Sequence, residues 1–198
     1  MRYDYQKFFE EKLRELAKEK DVLDVGGGRP FQKYMAPYKS WFDEVKYQTL
    51  DVASEYSPTI VGDVHNLPLK DESVSAILCN SVLEHLHDPP RAVEEMRRVL
   101  KKGGKILIYT HFIYPYHARK GVYKDYFRFT EDAFGHMFGK FSHLEIKKQG
   151  GYFRALMFFM PFQARLRPLW EPIAYFLDKI FKTERKSTTA GYYLYAIK

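Results

Sequence analysis

Val22-Leu23-Asp24-Val25-Gly26-Gly27-Gly28-Arg29-Pro30 joins a short apolar strand to three consecutive glycines. Nothing else in the chain constrains the fold as strongly. Glycine has no Cβ, so such a turn adopts positive φ and brings the main chain close to a ligand; Pro30 then suits the first turn of a helix. Asp24 stands just before the turn, at the carboxyl end of the strand, the edge at which open α/β sheets bind ligands.

Apolar periodicity predicts alternating elements around this turn. Tyr5, Phe8, Phe9, Leu13, Leu16 and Ala17 recur at helical spacing over 4–20, an amphipathic leading helix. Strands are expected over 22–25, 46–50, 59–61, 74–79 and 105–110, with a helix or helical turn over 31–38. Asp88 before Pro89 reads as an N-cap with proline at the first helical position, and Ala92, Val93, Met96, Val99 and Leu100 form that helix's inner face until Gly103-Gly104 stops it. Beyond Thr110 a Tyr/His/Arg-rich loop runs to Phe129, a helix starts near Thr130, and strands are expected over 144–148 and 192–197 on either side of an aromatic excursion. Alternation at this pace gives parallel βαβ units. The expected fold is α/β: a Rossmann-like, doubly wound seven-stranded sheet, mostly parallel with an antiparallel closing strand, and helices on both faces.

The 198 residues suit one sizeable core, so a single domain over 1–198 is expected. Its formal charge of +7 is uneven: residues 1–100 carry 14 Lys+Arg against 18 Asp+Glu, and residues 101–198 carry 18 against 7. The basic half also holds 23 of the 34 aromatic residues, a surface suited to phosphates, an anionic membrane or nucleic acid. The single cysteine, Cys79, excludes an intramolecular disulfide framework and reads as a small buried hydrophobe. No signal peptide is visible, and the longest uncharged run of the aromatic tract, 155–164, has 10 residues against the ~20 of a membrane span. A cytoplasmic location is expected, with peripheral membrane contact as an addition to it.

A glycine turn after the first strand and an acid, Asp51, after the second suit a nucleoside cofactor, because the acid accepts hydrogen bonds from ribose hydroxyls. A nicotinamide dinucleotide and S-adenosylmethionine both meet that description. The dinucleotide fingerprint wants a third glycine three residues after the second, for close helix packing, and Phe31 occupies that place.

Further motifs follow in order: Gly62-Asp63-Val64 with Asn66-Leu67-Pro68, then Asn80-Ser81-Val82-Leu83-Glu84-His85-Leu86, then Val99-Leu100-Lys101-Lys102-Gly103-Gly104-Lys105. Together with the glycine turn and Asp51, they make the chain resemble a class I S-adenosylmethionine-dependent methyltransferase of the small-molecule branch, over 22–110. Pro30 departs from a glycine often found at its position. The resemblance implies a cofactor-binding set of Asp24, Gly26, Gly27, Gly28, Asp51, Val52, Asp63, Val64, Asn80 and Ser81, with Asp51 on the ribose and Asp63 facing the adenine amine. It divides the domain into a leading helix over 1–20, a cofactor-binding core over 21–112, and an acceptor-side half over 113–198 with an aromatic insert over 152–185.

Methyl transfer needs an acceptor held in line with the methyl group and, for a protonated acceptor, a base within reach. His85, His111 and His117 are the histidines positioned for that role. Asp125-Tyr126-Phe127-Arg128-Phe129-Thr130 resembles a segment of certain members of the family, in which a loop histidine precedes such a string. His85, His117, Asp125 and Arg128 are therefore the acceptor-side candidates. Read structurally instead, the string is an ordered loop, with Thr130 as N-cap, Phe127 and Phe129 in the core and Asp125 paired with Arg128.

No dedicated metal centre is expected, because the seven histidines show no paired helix spacing and no second cysteine accompanies them. The aromatic tract, with Phe153, Met157, Phe158, Phe159, Met160, Phe162 and Trp170, suits a lid over a bulky acceptor, a membrane contact over 152–181, or plain core and dimer seam. The expected partner is a small or lipid/glycan-linked acceptor. The alternatives are an RNA methyltransferase using the basic half, against which Asn80-Ser81-Val82-Leu83 lacks a Pro-Pro-Tyr-like string, and a non-catalytic cofactor-fold scaffold.

Overall fold

The computed structural model describes residues 3–198. Helix α1 (Asp4–Leu16) buries Tyr5, Phe8, Phe9, Leu13 and Leu16, the apolar face expected from their spacing. Strands β1 (Asp21–Val25), β2 (Lys46–Asp51), β3 (Ile60–Val61), β4 (Val74–Asn80) and β5 (Leu100–His111) are joined in parallel, with helix α2 (Pro89–Val99) between the last two. After helix α3 (Glu131–Met137), strand β6 (His143–Lys148) and strand β7 (Gly191–Ile197) complete a seven-stranded sheet of order β3-β2-β1-β4-β5-β7-β6. β7 runs antiparallel to both β5 and β6. This is the mostly parallel sheet with an antiparallel closing strand that the sequence pattern implied.

The two-residue period of the strands sends alternate side chains to two cores. Leu23, Val25, Ile77, Cys79, Ile106 and Ile108 meet Ala92, Val93, Met96 and Val99 of α2 and Phe134 and Phe138 on one face. Val22, Ala76, Leu78 and Leu107 meet Phe8, Phe9, Leu13 and Leu16 of α1 and Met35 and Phe42 on the other. Register then lines up the carboxyl ends: Val25 lies beside Leu50 and Cys79, and Asn80 beside Tyr109. Gly26, Asp51, Ser81 and His111 therefore emerge along one edge.

Three local expectations are corrected. Pro30 opens no helix: Phe31 takes a left-handed conformation (φ 53°), its ring lies 4.2 Å from that of Tyr47, and a 3-10 helix starts only at Lys33 and runs to Phe42 with Pro37 inside. The half-buried Phe31 ring packs on Tyr47 of β2, and the chain turns there before the helix starts. Second, α2 passes directly into β5, so Gly103 and Gly104 lie inside the strand and do not end the helix. Third, α1 ends at Leu16, four residues before the amphipathic pattern suggested.

The stretch after β6 folds into a helical pair, α4 (Tyr152–Met157) and α5 (Gln163–Ile180). Asp178, fully buried, accepts from the backbone N–H groups of Gly151, Phe153 and Arg154 and from the Thr183 hydroxyl, so it satisfies the free amides at the start of α4. The pair leans on α1: Tyr5 donates its hydroxyl to Glu171 at 2.8 Å, and Arg154, 2% exposed, meets the same carboxylate at 3.0 Å. None of the described helices is long and apolar enough to cross a membrane.

Candidate cofactor and acceptor site along one cavity

A cavity of about 1230 Å³ opens along the carboxyl edge of the sheet, from Asp24, Gly26, Asp51 and Asp63 at one end to His85, His111, His117 and Tyr126 at the other. Its first end is built on the glycine turn. A Cβ on Gly26 (φ 72°) would collide with Val82, and one on Gly27 would collide with the carboxylate of Asp24. These glycines thus make room for the protein's own groups as well as for a ligand.

Asp24 is buried beneath the turn, where Tyr47 donates its hydroxyl to Oδ2 at 2.7 Å and Oδ1 has no partner. Burial raises its pKa to about 7, against the Tyr47 hydrogen bond and with a further push from the charge of Asp51. A buried carboxylate oxygen without a donor is costly unless a cation or N–H group meets it. Asp51 ends β2 and accepts from the Ala53 N–H at 3.0 Å, and the neighbouring Val52 is 68% exposed, an apolar face turned outward. Asp63 Oδ1 accepts from the His65 backbone at 2.9 Å and lies 2.6 Å from His65 Nδ1, so part of this carboxylate is committed to the local turn. Val64 lines the cavity, yet its side chain belongs to the core. Asn80 and Ser81 follow at the end of β4, with Ser81 held left-handed (φ 55°) while its N–H donates to Tyr109 O at 2.8 Å.

The other end is assembled from three separate segments. Glu84 is fully buried: Thr110 donates to Oε2 at 2.7 Å, and Oε1 has no hydrogen-bond partner. Burial pushes its pKa up to about 7. Two imidazole nitrogens point at Oε1 from beyond hydrogen-bond range, His111 Nε2 at 3.7 Å and His117 Nε2 at 4.0 Å. The rings of His85 and His117 lie 4.8 Å apart. Burial lowers the pKa of His111 to about 3, helped by the nearby positive charges of His117 and Arg128, and burial also lowers that of His85.

Asp125 and Arg128 stand behind this cluster; neither lines the cavity. Arg128 grips Asp125 with both terminal nitrogens, at 2.5 and 2.8 Å, and holds its carboxyl well below the usual range. Asp125 Oδ2 in turn receives the His117 backbone N–H at 3.0 Å and lies 3.2 Å from His117 Nδ1. The ordered-loop features also hold, with Thr130 accepting from Ala133 N–H at 3.3 Å and Phe129 in the core, although Phe127 is 40% exposed. Among the described residues, none of the insert over 152–185 lines the cavity. Glu84 and His111 were outside the candidate set of His85, His117, Asp125 and Arg128; an acid inside the otherwise apolar Val82-Leu83-Glu84 run was the available signal for Glu84.

A glycine turn, an acid after β2 and an open cavity along the carboxyl edge suit a nucleoside cofactor on a Rossmann-like sheet. The comparisons agree. Residues 23–108 match the family model described as a methyltransferase domain, Methyltransf_11. It is 32% identical over 119 residues to demethylmenaquinone methyltransferase of Staphylococcus haemolyticus, covering 60% of this chain and 48% of that protein. Among solved structures, phosphoethanolamine N-methyltransferase 2 of Haemonchus contortus superposes with a TM-score of 0.62 at 13% identity, over 96% of this chain and 52% of the other. A SAM-dependent methyltransferase from Archaeoglobus fulgidus gives 0.59 at 15% identity, over 98% and 100%. At these identities the structures establish the shared fold. The chain spans less than half the length of the curated relatives it matches first.

Proposed function

We propose that this protein is an S-adenosylmethionine-dependent methyltransferase acting on a small or lipid/glycan-linked acceptor. The observation that carries the reading is the continuity of the cavity from the orphaned Asp24 Oδ1 to the histidines around Glu84. Asp24 suits the ammonium end of the cofactor, because a cation supplies the partner its buried oxygen lacks. Asp51 suits the ribose hydroxyls, by charge-assisted hydrogen bonds. Val52, Asp63 and the main chain of Val64 form the wall for the adenine, with the glycine turn and Asn80-Ser81 framing the space between. The bound cofactor supplies an electrophilic methyl group. The chain's part is to orient the acceptor and exclude water, and to offer, at His85 or His117, an imidazole that takes up an acceptor proton. Asp125 and Arg128 act as positioning residues for His117.

The exposed apolar face of α5 supports a membrane-associated acceptor. Leu169, Ile173, Phe176 and Ile180 recur every three or four residues, each at least 43% exposed, and Arg165, Lys179, Lys182 and Arg185 are exposed along the same segment. An apolar stripe flanked by cations suits shallow insertion among anionic lipids. The insert is read as this contact and not as a lid.

Two assays test the reading. Incubation with methyl-labelled S-adenosylmethionine and a panel of quinol, phenol and lipid-linked glycan acceptors is expected to label at least one of them; a panel left unlabelled by a chain that binds the cofactor counts against these acceptor classes. In co-sedimentation with vesicles containing anionic lipid, wild type is expected in the pellet and the doubly substituted Ile173→Glu, Phe176→Glu chain in the supernatant. Equal partition of the two removes the membrane contact.

A further inference from the structure

The geometry points to a site for one divalent transition-metal ion of the zinc class, held by Glu84, His85 and His117 with His111 beside them. One donor atom from each of Glu84, His85 and His117 lies within 4.8 Å of the others. His111 Nε2 approaches the same Glu84 Oε1 from 3.7 Å. These separations are too long for hydrogen bonds. The 3.7 and 4.0 Å separations of His111 and His117 from Glu84 lie above the ~3.3 Å edge of a tetrahedron of ligands at zinc bond lengths, so an inward shift of the side chains seats an ion among them. Glu84 Oε1 and His117 Nε2 are both buried without a partner, the condition a shared cation would relieve.

The other ring nitrogen of each histidine is already oriented. His85 Nδ1 lies 2.6 Å from the carbonyl of Lys124, His111 Nδ1 lies 3.1 Å from the Tyr109 hydroxyl, and His117 Nδ1 lies 3.2 Å from Asp125. Glu84 Oε2 is fixed by Thr110. A carbonyl, a hydroxyl and a carboxylate on one ring nitrogen of each histidine, with Nε2 of His111 and of His117 nearest Glu84 Oε1, is the outer-shell arrangement that orients imidazole ligands on metals. Imidazole and carboxylate together suit zinc, cobalt, iron(II) or manganese, and the absence of thiolate disfavours copper(I). The sequence carries no spacing signal for this set, because its members come from the segment after β4, the end of β5 and the loop beyond.

The site stands whether or not the chain transfers methyl groups, and its test uses metal alone. The chain is stripped with chelator, dialysed and titrated with Zn²⁺ by calorimetry, and with Co²⁺ by visible absorption. One ion per chain is expected, with Co²⁺ giving the intense ligand-field bands of a low-coordinate site. His117→Ala and Glu84→Gln are expected to lower Zn²⁺ affinity at least tenfold, and Asp125→Asn, acting through His117, by roughly ten- to a hundredfold. His136→Ala, on the exposed face of α3, is expected to leave it unchanged. Circular dichroism establishes that each variant is folded, and a conservative His117→Gln chain replaces His117→Ala should the latter unfold. Absence of stoichiometric binding overturns the site, as does equal binding by wild type and the folded His117 variant.

Discussion

At the cofactor end of the cavity the ligand-facing surface is largely main chain, set by Gly26, Gly27 and Gly28 with acids at the strand ends. At the acceptor end it is built of side chains, Glu84, His85, His111 and His117, brought from three segments and held by an outer ring of Thr110, Tyr109, Lys124 and Asp125. The first end depends on what is missing, since a Cβ on Gly26 or Gly27 would collide with Val82 or Asp24. The second depends on what is present and on how each imidazole is turned. Damage to the one should therefore appear in folding and cofactor affinity, and damage to the other in acceptor chemistry.

The largest effect separating the two ends is expected from Asp24. Its pKa is about 7 in the folded chain against 3.8 ordinarily, so the folded state binds the proton more tightly than the unfolded state. Stability from this group is full below pH 4 and is lost as pH rises through 7, by on the order of 4 kcal/mol for a shift of this size. Urea midpoints between pH 4 and pH 8 should fall less steeply for Asp24→Asn than for wild type in the absence of cofactor. Parallel curves would mean that Asp24 is not the buried acid described.

Gly26→Ala comes next. The added methyl meets Val82 at a residue with positive φ, and the two penalties together should cost about 2–4 kcal/mol of stability. A wild-type unfolding midpoint would show that the turn yields freely. By contrast, His117→Ala should leave stability and cofactor affinity near wild type while lowering turnover about a hundredfold, the lower range for loss of a positioned acid–base group. Unchanged turnover would remove His117 from the acceptor end. Smallest of all, Gly135→Ala in α3, where a Cβ would meet nothing within 4 Å, should raise stability by about 0.5–1 kcal/mol.

The same contrast explains which parts of the molecule were legible in the sequence. Strand ends marked by Gly26, Asp51 and Asn80 are local events, and the alternation of apolar runs pointed to parallel βαβ units around them. Pro30 misled because a local preference for helix starts lost to the packing of Phe31 on Tyr47. Asp125 and Arg128 were legible as a pair, though their place behind His117 depends on how the loop docks, with Tyr126 and Phe127 N–H groups donating to the Glu84 carbonyl. The metal cluster was invisible for the same reason: residues 84, 111 and 117 meet only once β4, β5 and the loop are assembled.

Titration of the purified chain with S-adenosylhomocysteine in a calorimeter tests the central claim most directly. The expected result is saturable binding of one molecule per chain, weakened about tenfold or more in Asp51→Ala, the scale of a charged hydrogen bond, and unchanged in His117→Ala. No saturable binding, or equal binding in wild type and Asp51→Ala, would contradict it.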